Sequence, residues 1–330
     1  MKAISIHQDD QGVRLLWGDA PDPACGADEV LVAVKATAVN RADLLQARGL
    51  YPPPSEDSDI LGLEAAGEIL TVGAAVEAWR PGDRICALVP GGGYATRVAV
   101  PQDWLIPLPD SWSYAEGAAV PEVWLTADTN LFLEGGLREG ETVLIHAGAS
   151  GVGTAAIQLA REMGARVAVT VGSDAKRTIC CELGADIVIN YQTEKFHQAI
   201  PARTKGRGID LALDCVGAAY LSDHIRLLNP YGRLINIGLL GGGQASIDMT
   251  AVLMKSLTIK GTRLRARSRK EKGQITQAFR DRFWPLLVAG KLRPVIDRRF
   301  PIADADAAHA YIKANRNCGK VILEVAAHAE

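Results

Sequence analysis

The sequence predicts an α/β protein in which a doubly wound parallel sheet is inserted into a β-rich domain. Three observations carry the prediction. Up to about residue 119 the chain reads as short strands separated by turns. From about 120 to 264 short apolar strands alternate with helices around a glycine-rich turn. From 265 to 330 that glycine signature is gone, and two helices and two strands read as packing back onto the first segment. The expected domains are therefore residues 1–119 with 265–330, and residues 120–264.

Taken in order, Val30–Ala36 is a strand candidate, as is Ala65–Val72 with Gly67 inside it. Arg84–Leu88 is a third, entered through the turn Pro81-Gly82-Asp83. Pro90-Gly91-Gly92-Gly93 makes a turn ahead of a strand from Tyr94 to Val100. In the middle, strands are expected at Thr142–Ile145, Val167–Val171, Ile187–Asn190, Ile209–Asp214, Arg233–Ile237 and Leu257–Lys260. Helices connect them from about Val152 to Met163, from Ser173 or Asp174 to Leu183 with Gly184 just past the end, and from Tyr220 to Leu228. Such alternation means a parallel sheet covered on both faces. The tail reads as a helix over Gln274–Val288 with Pro285 near its end, a strand Val295–Phe300, a helix Ala303–Asn315 and a closing strand Lys320–Val325.

Composition excludes several classes. With 48% hydrophobic and 22% charged residues the chain is ordinary for a globular protein, and a formal net charge of −2 gives no electrostatic case for nucleic acid or an anionic membrane. Leu144–Ala160 is Gly/Ala-rich and apolar, but His146, Ser150 and Gln158 interrupt it, and a membrane span needs about 20 predominantly apolar residues. The N-terminus lacks the apolar core of a signal peptide, so a cytoplasmic protein is expected. Six cysteines are scattered with no C-x-x-C pair, which argues against a disulfide framework and a structural zinc site. Of the adjacent Cys180 and Cys181, one is expected to pack and the other to be partly exposed.

The central motif is His146-Ala147-Gly148-Ala149-Ser150-Gly151-Val152-Gly153, which follows a strand and opens a helix. Glycines let backbone approach a pyrophosphate, and the helix N-terminus adds orphan N–H donors and a positive dipole end. In its βαβαβ setting this is a dinucleotide site on a Rossmann sheet, although the spacing is G-x-x-G-x-G rather than G-x-G-x-x-G. An acid at the tip of the second strand would favour NAD; here the tip is the neutral pair Gly172-Ser173, with Lys176 three residues on. Tyr191, after the third strand, offers a hydroxyl or a ring face. Hydrogen bonds to charged groups contribute about 1.5–3 kcal/mol each, enough for two to favour NADPH. Asp174 leaves two roles open, capping the helix or binding ribose. Asp214 reads as a turn cap and His146 as a strand-end hydrogen-bonding residue, while His197, His224, His309 and His328 have no visible nucleophile partner.

The phrases Ala38-Val39-Asn40-Arg41-Ala42-Asp43-Leu44, Ile60-Leu61-Gly62-Leu63-Glu64-Ala65, Leu88-Val89-Pro90-Gly91-Gly92-Gly93-Tyr94-Ala95, Ala119-Val120-Pro121-Glu122-Val123-Trp124-Leu125-Thr126-Ala127 and Thr262-Arg263-Leu264-Arg265-Ala266-Arg267-Ser268 occur in order along the chain. Together with the glycine turn they resemble the medium-chain dehydrogenase/reductase superfamily, in its zinc-independent quinone oxidoreductase branch and the tumour-suppressor-inducible NADPH quinone oxidoreductase subfamily within it. The resemblance implies a Rossmann sheet inserted in a GroES-like catalytic domain. It implies hydride transfer from NADPH to small quinones, ortho-quinones among them, without a metal. Zinc enzymes of the superfamily carry Cys where this chain has Asn40 and His where it has Leu63, so no metal site is expected.

By the same resemblance Asn40 lies near the nicotinamide ribose and Tyr51 lines the acceptor cleft. Asn40 reads equally as a helix-capping turn residue, and Tyr51 as a loop tyrosine propped by Pro52-Pro53-Pro54. Cofactor contacts are implied for Thr126, Ser150, Gly151, Val152, Gly153, Gly172, Ser173, Lys176, Tyr191, Gly238, Leu239, Leu240, Leu264 and Arg265. For Arg265, Arg267 and Arg269 a solvated cationic loop stays open. A homodimer through the edge strand Leu257–Lys260 is implied as well. Alternative activities are NADPH-dependent reduction of an enone or alkenal double bond, and crystallin-like NADPH binding without turnover.

Overall fold

The computed structural model describes residues 1–9 and 12–326, so His328 lies outside the described residues. The chain forms two compact units, residues 1–125 with 265–330 and residues 126–264; residues 120–125 thus belong to the first. It opens with an antiparallel hairpin, β1 (Lys2–Asp9) against β2 (Gly12–Asp19). The sequence reading assigns no element here. Only Ala3 and Ile4 of β1 and Leu15 of β2 are buried, too few apolar positions to show a period of two.

The first unit continues with β3 (Glu29–Val39), β4 (Glu64–Val72), β5 (Arg84–Leu88), β6 (Arg97–Pro101) and β7 (Leu105–Pro107). The second unit holds β8 (Thr142–Ile145), β9 (Arg166–Val171), β10 (Ile187–Asn190), β11 (Ile209–Asp214), β12 (Leu228–Asn236) and β13 (Thr258–Gly261). The chain then returns to the first unit for β14 (Ile296–Pro301) and β15 (Lys320–Glu324).

In the first unit β3 is the organising strand. It pairs with β4 along one edge and shares the other between β6, at Glu29–Ala33, and β15, at Ala36–Val39. Val30, Val32 and Val34 alternate into the core, and past Thr37 every residue is buried. The far end of β3 therefore brings polar groups into a dry environment, where each must find a partner.

The second unit is a parallel sheet of order β10-β9-β8-β11-β12-β13. The order reverses between β8 and β11, the crevice where open α/β sheets bind ligands. Leu144, Ile189, Phe196, Ile200, Ile209 and Leu234 belong to one buried apolar cluster of this unit.

Several expected elements differ in the structure; the strand expected from Arg233, for one, already begins at Leu228. The strand read from Tyr94 starts only at Arg97, because Tyr94 is bonded elsewhere: its N–H donates to the Leu61 carbonyl at 2.8 Å and its carbonyl accepts from the Ile4 N–H at 2.8 Å. The helix read over Gln274–Val288 is two helices, Arg269–Arg282 and Trp284–Val288. Pro285 lacks an N–H and is tolerated only in the first turn, so a new helix starts beside it. The longer helix starts five residues earlier than expected because Ser268 and Glu271 cap it reciprocally: Ser268 N–H donates to Glu271 Oε2 at 2.9 Å and Glu271 N–H to Ser268 Oγ at 3.3 Å.

Gly67 sits inside β4, where an added Cβ would collide with the Ala33 carbonyl of β3. Gly67→Ala is expected to cost about 2 kcal/mol or more of unfolding free energy. A urea titration checks this: the midpoint should fall with the slope unchanged.

Candidate functional site

In the second unit the glycine turn leaves the carboxyl end of β8. Ala147 takes a left-handed φ of 53°, and an added Cβ on Gly148 would lie 2.7 Å from Val169 of β9. Gly153 is likewise shut in by the Ala147 and Gly148 carbonyls. Gly148 is thus demanded by the close approach of the turn to β9, and Gly153 by the folding of the turn back onto the start of the helix Gly151–Glu162. Ser150 caps that helix, its Oγ accepting from the Gly153 N–H at 3.0 Å. The N–H groups of Gly151 and Val152 lie in the first turn, where a helix supplies no acceptor. A pyrophosphate is the ligand such a turn suits.

Ser173, Lys176 and Tyr191, the residues expected at a 2′-phosphate, lie at the tip of β9, in the helix after it and at the end of β10. Ser173 is the N-cap of the helix Asp174–Glu182, yet its side chain makes no capping bond. Asp174 neither caps nor points alone at a ligand: its Oδ1 accepts from Asn190 Nδ2 at 3.3 Å and lies 3.7 Å from Arg177 Nε. Lys176 follows, half-buried, and Tyr191 stands at the end of β10 with its hydroxyl 2.5 Å from where a Gly172 Cβ would be. A side chain at position 172 would displace the half-exposed Tyr191 ring, a neighbour the sequence alone does not reveal.

Gly238, Leu239 and Leu240 follow β12. The Leu240 N–H donates to the Cys215 carbonyl at 3.1 Å, and Asn236 Nδ2 to the Gly238 carbonyl at 2.9 Å. The two leucines are exposed, at 60% and 57%. Thr126 accepts on its carbonyl from Asn130 Nδ2 at 2.8 Å, and Thr262 Oγ1 donates to Asn130 Oδ1. Asn130 was not singled out from the sequence. Leu264 is buried and closes this unit.

Asp214 caps its turn as read, accepting from the Val216 and Gly217 N–H groups at 2.8 and 2.9 Å. His146 Nε2 lies 2.7 Å from His224 Nε2, and His146 Nδ1 lies 2.8 Å from Thr170 Oγ1. Among the described residues, His146, Asp214 and His224 form the group whose ligand atoms are close enough to hold a metal ion. Burial keeps both imidazoles below the usual histidine range. Three of the four imidazole nitrogens are spent on each other and on Thr170, while His224 Nδ1 is buried without a hydrogen-bond partner. Cys180 is buried and Cys181 exposed.

In the first unit Asn40 precedes the helix Arg41–Gln46. Its backbone N–H donates to Asp43 Oδ2 at 2.7 Å, half of a capping box. Its side chain turns the other way. Lys320 Nζ donates to Asn40 Oδ1 at 2.8 Å and to Glu64 Oε1 at 2.7 Å, and Asn40 Nδ2 donates to Glu64 Oε1 at 2.8 Å. Glu64 Oε2 accepts from the Glu122 N–H at 2.9 Å. Glu64 and Lys320 are fully buried, and neither they nor Glu122 was picked out as functional from the sequence. Beside this set, Tyr94 OH donates to Asp43 Oδ2 at 3.2 Å and lies 3.1 Å from His309 Nε2. Burial raises the Asp43 carboxyl to about 6 and lowers His309 to about 4.

Tyr51 and Arg265 are brought together, the Arg265 guanidinium lying 5.6 Å from the tyrosine ring centroid. Arg265 Nη1 donates to Gln46 Oε1 at 2.8 Å, and the residue is buried, which corrects the solvated-loop reading for this arginine. Arg269 is paired instead with Asp28 at 2.8 Å and Glu29 at 3.5 Å.

Residues 26–110 match the family model of the alcohol dehydrogenase GroES-like domain, and residues 151–280 that of zinc-binding dehydrogenases. The quinone oxidoreductase of Pseudomonas aeruginosa is 32% identical over 299 residues, 90% of this chain and 91% of that protein. A phenolphthiocerol/phthiocerol polyketide synthase of Mycobacterium tuberculosis is 30% identical over 302 residues, 91% of this chain, which spans 14% of that protein's length. Among solved structures, a quinone oxidoreductase of Pseudomonas syringae has a TM-score of 0.87 at 28% identity, with 98% of this chain and 99% of that one covered. A mycobacterial protein complexed with NADPH gives 0.87 at 27%, covering 98% and 100%. CurK enoyl reductase gives 0.85 at 27%, covering 98% and 99%.

The zinc named by the second family model does not suit the residues at the end of β3. Leu63 is a core side chain at 2% exposure, Asn40 is tied to Lys320 and Glu64, and the Lys320 ammonium already neutralises the carboxylate. No thiolate or imidazole is offered at these positions. A nicotinamide dinucleotide, by contrast, suits the turn, the orphan N–H groups and the hydroxyls of the second unit. Among the described residues no helix is long and apolar enough to cross a membrane.

Burial, with Glu64 adding to it, raises the Glu122 carboxyl from its ordinary 4.5 to about 8, against the pull of Lys320. A carboxyl raised on folding binds more protons in the native state between those values, so stability should fall as pH rises through that window. Glu122→Gln should flatten the slope. Urea midpoints at pH 5 and pH 8 measure it, and an unchanged slope would show that Glu122 stays ionised in the native protein.

Proposed function

The chain belongs to the medium-chain dehydrogenase/reductase superfamily, and from that premise we propose that it is an NADPH-dependent quinone oxidoreductase of the zinc-independent branch. The observation that carries this reading is the set around Asn40. Metal-dependent reduction of an unactivated carbonyl uses a Lewis acid, whereas this chain spends Asn40, Glu64 and Lys320 on one another. A quinone needs none, because it is electron-poor and gains aromaticity on reduction.

NADPH, when bound, supplies the hydride. The chain's own residues bind, orient and provide for the proton. Gly151 and Val152 N–H groups meet the pyrophosphate, and Ser173, Lys176 and Tyr191 meet the 2′-phosphate. Asn40 fixes the ribose of the nicotinamide. Tyr51 donates a hydrogen bond to the acceptor oxygen that takes the proton, so that hydride plus one proton gives the hydroquinone. The likeness to quinone oxidoreductases and to a protein that binds NADPH supports this assignment. The likeness to an enoyl reductase favours a second reading, reduction of an activated C=C bond on the same hydride geometry.

A homodimer through β13 belongs to the same proposal. All four β13 residues are exposed at the sheet edge, and Leu253 and Met254, just before it, are exposed at 76% and 77%. Light scattering should give twice the chain mass.

NADPH oxidation followed at 340 nm tests the activity, with 1,2-naphthoquinone, 1,4-benzoquinone and an α,β-unsaturated ketone, each repeated with NADH. Turnover on a quinone with NADPH preferred is expected; turnover on the enone alone would establish the second reading instead. Lys176→Ala should raise the KM for NADPH about ten- to a hundredfold and leave that for NADH nearly unchanged. Equal changes for the two cofactors would remove Lys176 from the 2′-phosphate site.

A further inference from the structure

We infer that Lys320 and Glu64 are positioning residues that hold the Asn40 amide in the one orientation that presents it to the nicotinamide ribose. The inference rests on the cofactor role proposed above for Asn40 and goes beyond it by saying what sets that role.

Three segments far apart in sequence meet here: the end of β3, the start of β4 and the start of β15. Lys320 Nζ reaches Asn40 Oδ1 at 2.8 Å, and Asn40 Nδ2 reaches Glu64 Oε1 at 2.8 Å. Lys320 and Glu64 also pair directly at 2.7 Å. The amide is thus read at both ends by opposite charges. Turning it over would set its NH₂ against the ammonium and its carbonyl against the carboxylate, replacing two charge-assisted hydrogen bonds by two repulsions.

The anchors are themselves fixed. Glu64 Oε2 is held by the Glu122 N–H, and Lys320 Nζ has a further acceptor in the Val39 carbonyl at 3.4 Å. Asn40 is only half-buried, so one side of an immobilised amide remains available.

Apart from the Glu122 N–H and the Val39 carbonyl, the surroundings of the pair are apolar. The residues that follow Lys320, Val321, Ile322 and Leu323, are fully buried and apolar, and so are Ala65 and Ala66 after Glu64. An apolar pair at such a place is commonly as stable as a buried ion pair. What the charges provide and an apolar pair would not, beyond partners for the Glu122 N–H and the Val39 carbonyl, is the direction of the amide.

The test is a mutant cycle on cofactor binding. Removing Lys320 alone would strand a buried carboxylate, so Lys320→Met is combined with Glu64→Gln. Four proteins are compared: wild type, Asn40→Ala, Lys320→Met/Glu64→Gln, and all three changes together. Fluorescence titration gives Kd for NADPH and, separately, competition gives Kd for 2′,5′-ADP, which lacks the nicotinamide ribose.

Asn40→Ala and the Lys320/Glu64 pair should each weaken NADPH about tenfold, and the triple variant should be no weaker than either. Binding of 2′,5′-ADP should not change. Additive losses, an unchanged NADPH Kd in the pair variant, or equal losses for both ligands would overturn the inference, the last by showing a general structural effect. If the pair variant does not fold, Glu64→Gln alone should weaken NADPH about threefold, and an unchanged Kd then overturns it. The readout is independent of the acceptor: a wild type that binds NADPH but reduces no quinone refutes the proposed activity and leaves this cycle to be decided on its own numbers. A wild type that binds no NADPH refutes both.

Discussion

A carboxylate can be kept wholly out of water only if donors and an opposite charge replace its hydration, since the bare desolvation penalty amounts to several kcal/mol. Glu64 is in that position. Its two oxygens accept from Lys320 Nζ, Asn40 Nδ2 and the Glu122 N–H. Meeting that requirement draws together the end of β3, the start of β4, the start of β15 and the start of the helix Pro121–Asp128. The long β3 is what makes this possible, because β15 and β4 lie along its two edges at the same level. Breaking a buried pair of this kind costs about 3–5 kcal/mol.

A second polar set adjoins the first and is governed differently. Asp43, Tyr94 and His309 are held in a chain of hydrogen bonds, and burial moves each toward its neutral form: the carboxyl up to about 6, the phenol well up, the imidazole down to about 4. Charge is thus concentrated where Lys320 and Glu64 balance it, while the neighbouring groups lean neutral. Glu122, raised to about 8, follows the same rule. The first unit presents Asn40 on a framework whose polar groups are nearly all spent on one another.

The second unit solves the opposite problem, leaving donors unspent. Gly148 lets the turn approach β9, Gly153 lets it fold back onto the start of the helix Gly151–Glu162, Ser150 takes care of the Gly153 N–H, and the first-turn N–H groups remain for an anion. At the tip of β9, Asp174 is taken up by Asn190 and Arg177, and the Ser173 hydroxyl is left uncommitted to capping.

The sequence by itself determined the second unit closely: the parallel sheet implied by β–α alternation, the glycine turn at the carboxyl end of β8, and the neutral strand tip followed by Lys176. These signals are local, because a turn, a cap or an apolar run is written within a few residues. It also determined, through phrases around Asn40, Leu63 and Thr262, which family to expect. Local pattern misled where two local signals competed, as at Pro285, and was silent where burial was sparse, as in β1 and β2. What only the tertiary structure decided was the company of each site residue. Lys320 meets Glu64 across 256 positions of sequence, Arg265 meets Gln46 across 219, and Tyr191 lies over Gly172. No periodicity or spacing encodes such pairs. They arise because strands from opposite ends of the chain lie side by side, and because a buried polar group must be satisfied by whatever donor the sheet brings to it.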